Sequence, residues 1–209
     1  MSWCLDDVYT LNKQSPYTFY IPSPEVLDRL KVGDRVRLIF VNEEVDDDGF
    51  RGERMWVEIT QLNGTSFKGI LNNEPYRLSL EVGDEISFKR ENICDTDTID
   101  PHLSEWDFYF DTLVTVSEDV FEKEEFNFML RDEPKGEGDA GWSILSGYED
   151  DDFLNDLENF QIVSIGVILN IDDSILNIIK EPPLCAYERD ENGEFYKIED
   201  YDWEGYFSG

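Results

Sequence analysis

The residues that could carry covalent or acid–base chemistry are few in kind. One histidine, His102, stands beside Pro101, and a Ser-His-Asp or Cys-His arrangement would have to use it. No nucleophile motif adjoins it, so it reads as a surface or capping residue, and no catalytic residue is assigned. Cys4, Cys94 and Cys185 are odd in number and far apart, without CxxC spacing. That points to neither a zinc site nor a disulfide framework. Carboxylates are the opposite case: 49 Asp and Glu face 17 Lys and Arg, for a net charge of −32. Two of them could serve as general acid and base, but among so many some stand close by chance, and the sequence singles out no pair. One run has cation-ligand spacing. Glu188, Asp190, Asn192 and Glu199 fall on positions 1, 3, 5 and 12 of a calcium loop, with Gly193 at position 6. Against a metal there, Glu at position 1 is too long, Pro182-Pro183 leaves no room for an entering helix, and the flanks CAYERD and EFYKI favour strand. The expectation is a plain hairpin around Asn192-Gly193, a pair suited to a type I′ turn. Asp46-Asp47-Asp48-Gly49 fails the loop spacing and reads as a solvated turn. GxGxxG and GxxxxGK[ST] are both missing, and no cofactor is expected.

Charge narrows the partner. Residues 1–100 hold 11 basic and 20 acidic side chains, residues 101–209 only 6 basic against 29 acidic. Nucleic acids and anionic membranes are themselves polyanions, so neither is expected as a partner. A cationic protein surface would be drawn in by such a field. The first residues, MSWCLDDVYT, lack a basic n-region and an apolar h-region, and the longest apolar stretch, Ile162 to Ile171, is broken by Ser164, Gly166 and Asn170. A cytosolic protein with reduced thiols is expected.

The elements that would position these residues fall into two groups. Ser23 suits the cap of a short helix with Pro24 in its first turn. RVRLIF (35–40) and ERMWVEIT (53–60) alternate as strands do, and TSFKGIL (65–71) and EISFKR (85–90) do so more loosely. Alternation puts Arg54 and Trp56 on one face and Met55 and Val57 on the other, without saying which is buried. Lys31-Val32-Gly33-Asp34 and Glu81-Val82-Gly83-Asp84 each introduce a strand through a Gly-Asp turn. Residues 16–94 read as a small, curled, mostly antiparallel β domain, and 95–111 as a linker with turn chemistry. Residues 112–200 read as an α+β domain with a mostly antiparallel sheet and short helices. Its expected strands are DTLVTVSEDV, FNFMLRDEP, WSILSGY and at least part of FQIVSIGVILNI, and its expected short helices are DDFLNDLENF and SILNIIKE. An acidic, aromatic tail, 201–209, follows. Trp142 reads as core. The tail reads equally as an interface segment or as one that is frayed or docked on its own domain.

Both groups resemble known bacterial families. Asp132-Glu133-Pro134, Asp139, Gly141-Trp142 and Ser146-Gly147, followed by Glu149, Asp150, Asp151 and Asp152 and then by ERDENGEF at 188–195, resemble the immunity-protein domain of type 33, over roughly 112–197. In the first half, GERMWV, the NEP turn at Asn73 to Pro75 and Val82-Gly83-Asp84 resemble a second small uncharacterised bacterial domain, over roughly 33–94. The first resemblance implies a place in polymorphic toxin systems, where an immunity protein binds and neutralises its toxin. It carries over no catalytic or binding residues.

The expected function is therefore a non-catalytic protein that neutralises a basic toxin, with Glu149, Asp150, Asp151 and Asp152 as the expected partner contacts. The alternatives are a two-domain regulatory or scaffold module, and an enzyme working through carboxylates or a metal, which would need a pocket with convergent carboxylates.

Overall fold

The computed structural model describes residues 3–42, 49 and 51–208. It divides into two units, Met1–Ser104 and Glu105–Gly209. The turn expected at Asp46 to Asp48 lies outside the described residues.

The first unit is built on one antiparallel sheet. β1 (Trp3–Leu5) is followed by α1 (Val8–Gln14), whose cap is Asp7, and by α2 (Pro24–Asp28), capped by Ser23 with Pro24 in its first turn. β2 (Arg35–Asn42), β3 (Gly52–Asn63), β4 (Ser66–Leu71) and β5 (Glu85–Lys89) then run as a meander in the order β1-β2-β3-β4-β5. A 3-10 turn, Arg90–Asn92, leads into β6 (Ile93–Thr96), which returns to β2 and pairs Thr96 with Val36 and Ile93 with Leu38. The meander thereby curls into a nearly closed barrel. Its interior is apolar: Leu38, Phe40, Val57, Ile59, Leu71 and Ile93 are fully buried. The structure also decides the faces of β3. Met55 and Val57 point inward, whereas Arg54 and Trp56 lie on the outside. There Arg37 stacks over Trp56 at 5.6 Å and Arg54 over Phe19 at 5.8 Å, contacts that favour a cation over an aromatic face.

The two Val-Gly-Asp turns are built alike. Asp34 Oδ2 accepts the Lys31 N–H at 3.0 Å, and Asp84 Oδ2 accepts the Glu81 N–H at 2.8 Å. Gly33 N–H donates to the Ile59 carbonyl and Gly83 N–H to the Leu71 carbonyl, each at 2.9 Å. The same four-residue solution thus ties β2 to β3 and β5 to β4.

The segment from 95 to 111 is more ordered than its turn chemistry suggests. Asp95 and Thr96 complete β6, and α3 occupies Leu103–Asp111. Between them Asp100 is buried, its carboxylate accepting from the Ser23 N–H at 2.7 Å, the Tyr20 hydroxyl at 2.9 Å and the His102 N–H at 2.9 Å. Burial alone would raise the Asp100 pKa; these donors outweigh it and hold the group below its ordinary value. Burial and then Asp100 push the Tyr20 phenol up. Partners some eighty residues away in the chain order a stretch with no periodicity of its own.

The second unit is α+β, as expected. Its elements are β7 (Leu113–Ser117), α4 (Glu118–Lys123), β8 (Phe128–Arg131), β9 (Asp139–Leu145), α5 (Asp151–Leu154), β10 (Phe160–Ser164), α6 (Ile165–Leu169), β11 (Cys185–Arg189), β12 (Phe195–Lys197) and α7 (Trp203–Ser208). The sheet order is β10-β7-β9-β8-β11-β12. Only β7 and β9 are parallel; the other pairs are antiparallel. One face carries Val114, Val116, Met129, Trp142 and Ile144, all buried, and the Trp142 indole N–H donates to the Ile179 carbonyl at 3.2 Å. Trp142 is therefore core, as read.

Three local readings change. DTLVTVSEDV is not one strand: β7 ends at Ser117, and Glu118 and Asp119 start α4, where negative charge suits a helix N-terminus. FQIVSIGVILNI makes the same transition at Ser164, with φ −70° and ψ 147° against −70° and 146° at Ser117. SILNIIKE forms two 3-10 turns, Asp173–Leu176 and Ile178–Lys180, in place of a helix, before Pro182-Pro183.

Candidate functional site

The sheet face opposite this core is largely open. A groove of about 750 Å³ runs across it. Its floor is Phe128 and Leu130 of β8 with Leu145 of β9, and one wall is α5 and the turn after it, through Leu154 and Leu157. The other wall is the C-terminal segment, through Tyr201 and Tyr206. Strand alternation explains the floor, since Phe128, Leu130 and Leu145 are out of phase with buried Met129 and Ile144. Tyr201 packs on Phe128 at 6.2 Å and on Trp203 at 4.8 Å, so the tail is folded onto its own unit. Leu157 is 85 % exposed, and Ile162, opposite Thr115 in the sheet, 70 %.

The groove's two carboxylates are both engaged. Glu188 accepts the Tyr196 hydroxyl at 2.7 Å. Glu149 accepts the Ser146 N–H at 2.7 Å, the Gly147 N–H at 2.8 Å and the Ser117 hydroxyl. Burial would raise the Glu149 pKa, and these donors, Ser117 foremost, outweigh it and lower it. Arg189, also in the lining, pairs with Asp172 at 2.5 Å and stacks over Phe195 at 4.2 Å.

Glu149 is thus the centre of a knot. Ser146, fully buried, donates its hydroxyl to Asp119 and accepts the Tyr148 N–H at 3.1 Å. Asp119 in turn takes Lys123 one turn along α4. The other three expected contact residues stand differently. Asp150 caps α5, accepting the Phe153 N–H at 2.9 Å, while Asp151 and Asp152 open the helix, and all three are exposed. The structure therefore separates Glu149, turned into the fold, from Asp150, Asp151 and Asp152, turned to solvent.

The other motif residues build turns. Asp132 donates its N–H to the Gly141 carbonyl at 2.8 Å, and Asp139 accepts the N–H groups of Lys135 and Gly141 at 2.8 and 2.7 Å. Gly141 has φ +76°, and a Cβ there would collide with the Asp132 carbonyl. Glu133 and Pro134 lie in the loop that this arrangement closes. In the first unit, Glu53 of GERMWV accepts the N–H groups of Tyr76, Arg77 and Leu78 at 2.7, 2.9 and 3.2 Å. Asn73 of the NEP turn accepts the Trp56 N–H at 2.6 Å. The motif residues of each half, distant in sequence, hold one another.

The calcium-like spacing resolves into a hairpin. Asp190 Oδ1 accepts the N–H groups of Asn192 and Glu194 at 2.8 and 2.9 Å, and its Oδ2 accepts from the Asn192 side chain. Gly193 N–H donates to the Asp190 carbonyl at 3.0 Å. A type I′ turn needs positive φ at both central residues. With the Gly193 N–H bonded to the Asp190 carbonyl, the central residues are Glu191 and Asn192, neither at positive φ, so the turn is of another type and Gly193, at +83°, follows it. Glu199 lies beyond β12. Among the described residues no group of three or more His, Cys, Asp and Glu is placed to hold a metal ion, and no helix is long and apolar enough to cross a membrane.

Sequence reasoning missed the groove, because its floor comes from two strands and its walls from residues 154–157 and 201–206. The one available signal was the aromatic tail, whose docked alternative the structure bears out. Residues 114–199 match the family model described as the immunity protein Imm33 domain. Residues 26–114 match the model of an uncharacterized protein conserved in bacteria, DUF2314. Neither the curated proteins nor the solved structures contain a match to the chain.

Proposed function

We propose that this chain is a non-catalytic immunity protein that binds a cognate basic toxin in the cytoplasm and blocks it. The observation that carries the reading is the Imm33 domain at 114–199. Charge supports the choice of a basic partner. Residues 101–209 hold 29 carboxylates and 6 cations, and five of those cations are already engaged: Lys123 with Asp119, Lys135 with Asp132, Arg189 with Asp172, Lys197 with Glu181, and Arg131 with the carbonyls of Ala140 and Glu181. The outward field is thus little compensated. Such a field accelerates encounter with a cationic surface. The partner is then held over its active site, with exposed acids such as Asp151 and Asp152 standing where an anionic substrate would lie. Carboxylates bonded within the fold, as Glu149 and Glu188 are, suit a rigid binding scaffold better than proton transfer.

The experiment is co-expression with the products of the adjacent genes. A toxic neighbour whose growth arrest is relieved, and which co-purifies with this chain, supports the reading. If no neighbour is bound and no arrest is relieved, the reading fails.

A further inference from the structure

The groove on the open sheet face has walls of one charge sign. Residues 149–160 carry six acids and residues 198–208 four, with no Lys or Arg in either stretch. Between them lies an apolar floor lined at its edge by Leu157, 85 % exposed, and on the neighbouring edge strand Ile162, 70 % exposed, stands opposite Thr115 of the lining. An exposed apolar patch rimmed by charge is the ordinary mark of a binding surface. The lining's one cation, Arg189, is ion-paired with Asp172 and buttressed by the Phe126 and Gly193 carbonyls, so it does not offset the rim. We infer that this groove receives a cationic amphipathic segment of the partner protein. Its apolar side chains enter between Leu157 and Tyr201, and its Lys and Arg side chains meet the carboxylates of α5 and of the tail. The inference rests on the neutraliser reading and names the surface it would use.

The occupant follows from the charge. A second copy of this chain would bring the same acidic walls against these and be repelled. An apolar small molecule would fill the floor but leave the exposed carboxylates of the rim, such as Asp151, Asp152 and those of the tail, without a counter-charge. A segment with leucine-like side chains on one face and basic side chains flanking them satisfies both floor and rim, and it is one of the recurring ways a helix is held in a groove.

The test uses the full chain and a synthetic leucine–lysine amphipathic peptide of about 18 residues, five helical turns. Its controls are a scrambled peptide and a leucine–glutamate counterpart. Amide shifts are followed by NMR in the wild type and in Leu157→Ser/Ile162→Ser. Both positions are exposed, so the fold is kept, and each apolar side chain buried on binding is worth roughly tenfold or more in affinity. The expected result is shifts in β8, β9, residues 150–162 and the tail, weaker binding of both controls, and a loss of at least roughly tenfold in the double variant. Shifts outside these elements, or a double variant that binds like the wild type, would overturn the inference. So would a dimer of the free protein that the double variant dissociates, since the occupant would then be a second copy. A neighbour-encoded toxin bound equally by wild type and double variant removes the groove but keeps the neutraliser reading. One that binds neither removes that reading and leaves the peptide result to judge the groove alone.

Discussion

Replacing Glu149 by alanine separates a residue that shapes the second unit from one that touches a partner. The carboxylate accepts from the Ser146 N–H, the Gly147 N–H and the Ser117 hydroxyl. Fully buried, three hydrogen bonds to a charged group would sum to about 4.5–9 kcal/mol. Glu149 is only half-buried, and water replaces part of what alanine removes, which leaves about 3 kcal/mol as the expected loss. Ser146 is the reason the loss does not fall to zero: it is fully buried, and its N–H would have no acceptor. For a unit of this size that loss corresponds to roughly 12–18 °C in Tm. Glu149→Gln keeps an acceptor and is expected to lose about half as much. The assay is urea and thermal unfolding read through hydrogen exchange of the β7 and β9 amides, which isolates the second unit. The pH dependence gives an independent check. The folded pKa lies below the ordinary 4.5, so the stabilisation is complete above that value and is lost as pH falls through the depressed one. The gap between wild type and Glu149→Gln should therefore close in acid. A Glu149→Ala protein as stable as the wild type that no longer binds its partner would refute the reasoning and make Glu149 a contact.

Gly141→Ala forces a side chain into the Asp132 carbonyl at φ +76° and is expected to cost about 2–4 kcal/mol, whereas Gly136→Ala, with nothing within 4 Å, should be neutral in the same melting experiment. Glu53→Ala frees three N–H groups, and the amides of Tyr76, Arg77 and Leu78 should exchange faster while those of β3 do not. Burial pushes the Cys94 thiol up to about 11 and raises that of Cys185, while Cys4 is exposed; iodoacetamide at pH 8 should label Cys4 first, and equal labelling of all three would contradict the buried placement. If the acidic field steers binding, the association rate of a toxin should fall with ionic strength while dissociation changes little.

Local alternation made the barrel legible: RVRLIF and ERMWVEIT are strands because their apolar residues fall on every second position. The turns at Gly33-Asp34 and Gly83-Asp84 were legible for a related reason, since the bonds of each Asp side chain close the turn within four residues. What was hidden depends on distance along the chain. Asp100 looks like linker until Tyr20 and Ser23 reach it, and Glu149 looks like part of an acidic run until Ser117, 32 residues earlier, donates to it. At Ser117 a helix start was signalled by the acidic residues Glu118 and Asp119 that follow it, whereas after Ser164 the β-branched run IGVIL reads as continued strand. The groove was beyond any local pattern, because its floor comes from alternate residues of β8 and β9 and its walls from residues 154–157 and 201–206.

The motif residues of the second unit are bonded within the unit: Asp132 with Gly141, Ser146 with Glu149 and Asp119, Trp142 with Ile179. The side chains that meet solvent, Leu157, Ile162, Asp151 and Asp152, contribute almost nothing to that network. Stability and surface character are therefore nearly independent variables in this unit. Its outer residues can be exchanged while the melting point barely moves, whereas an exchange at Ser146, Glu149 or Gly141 is felt throughout the unit.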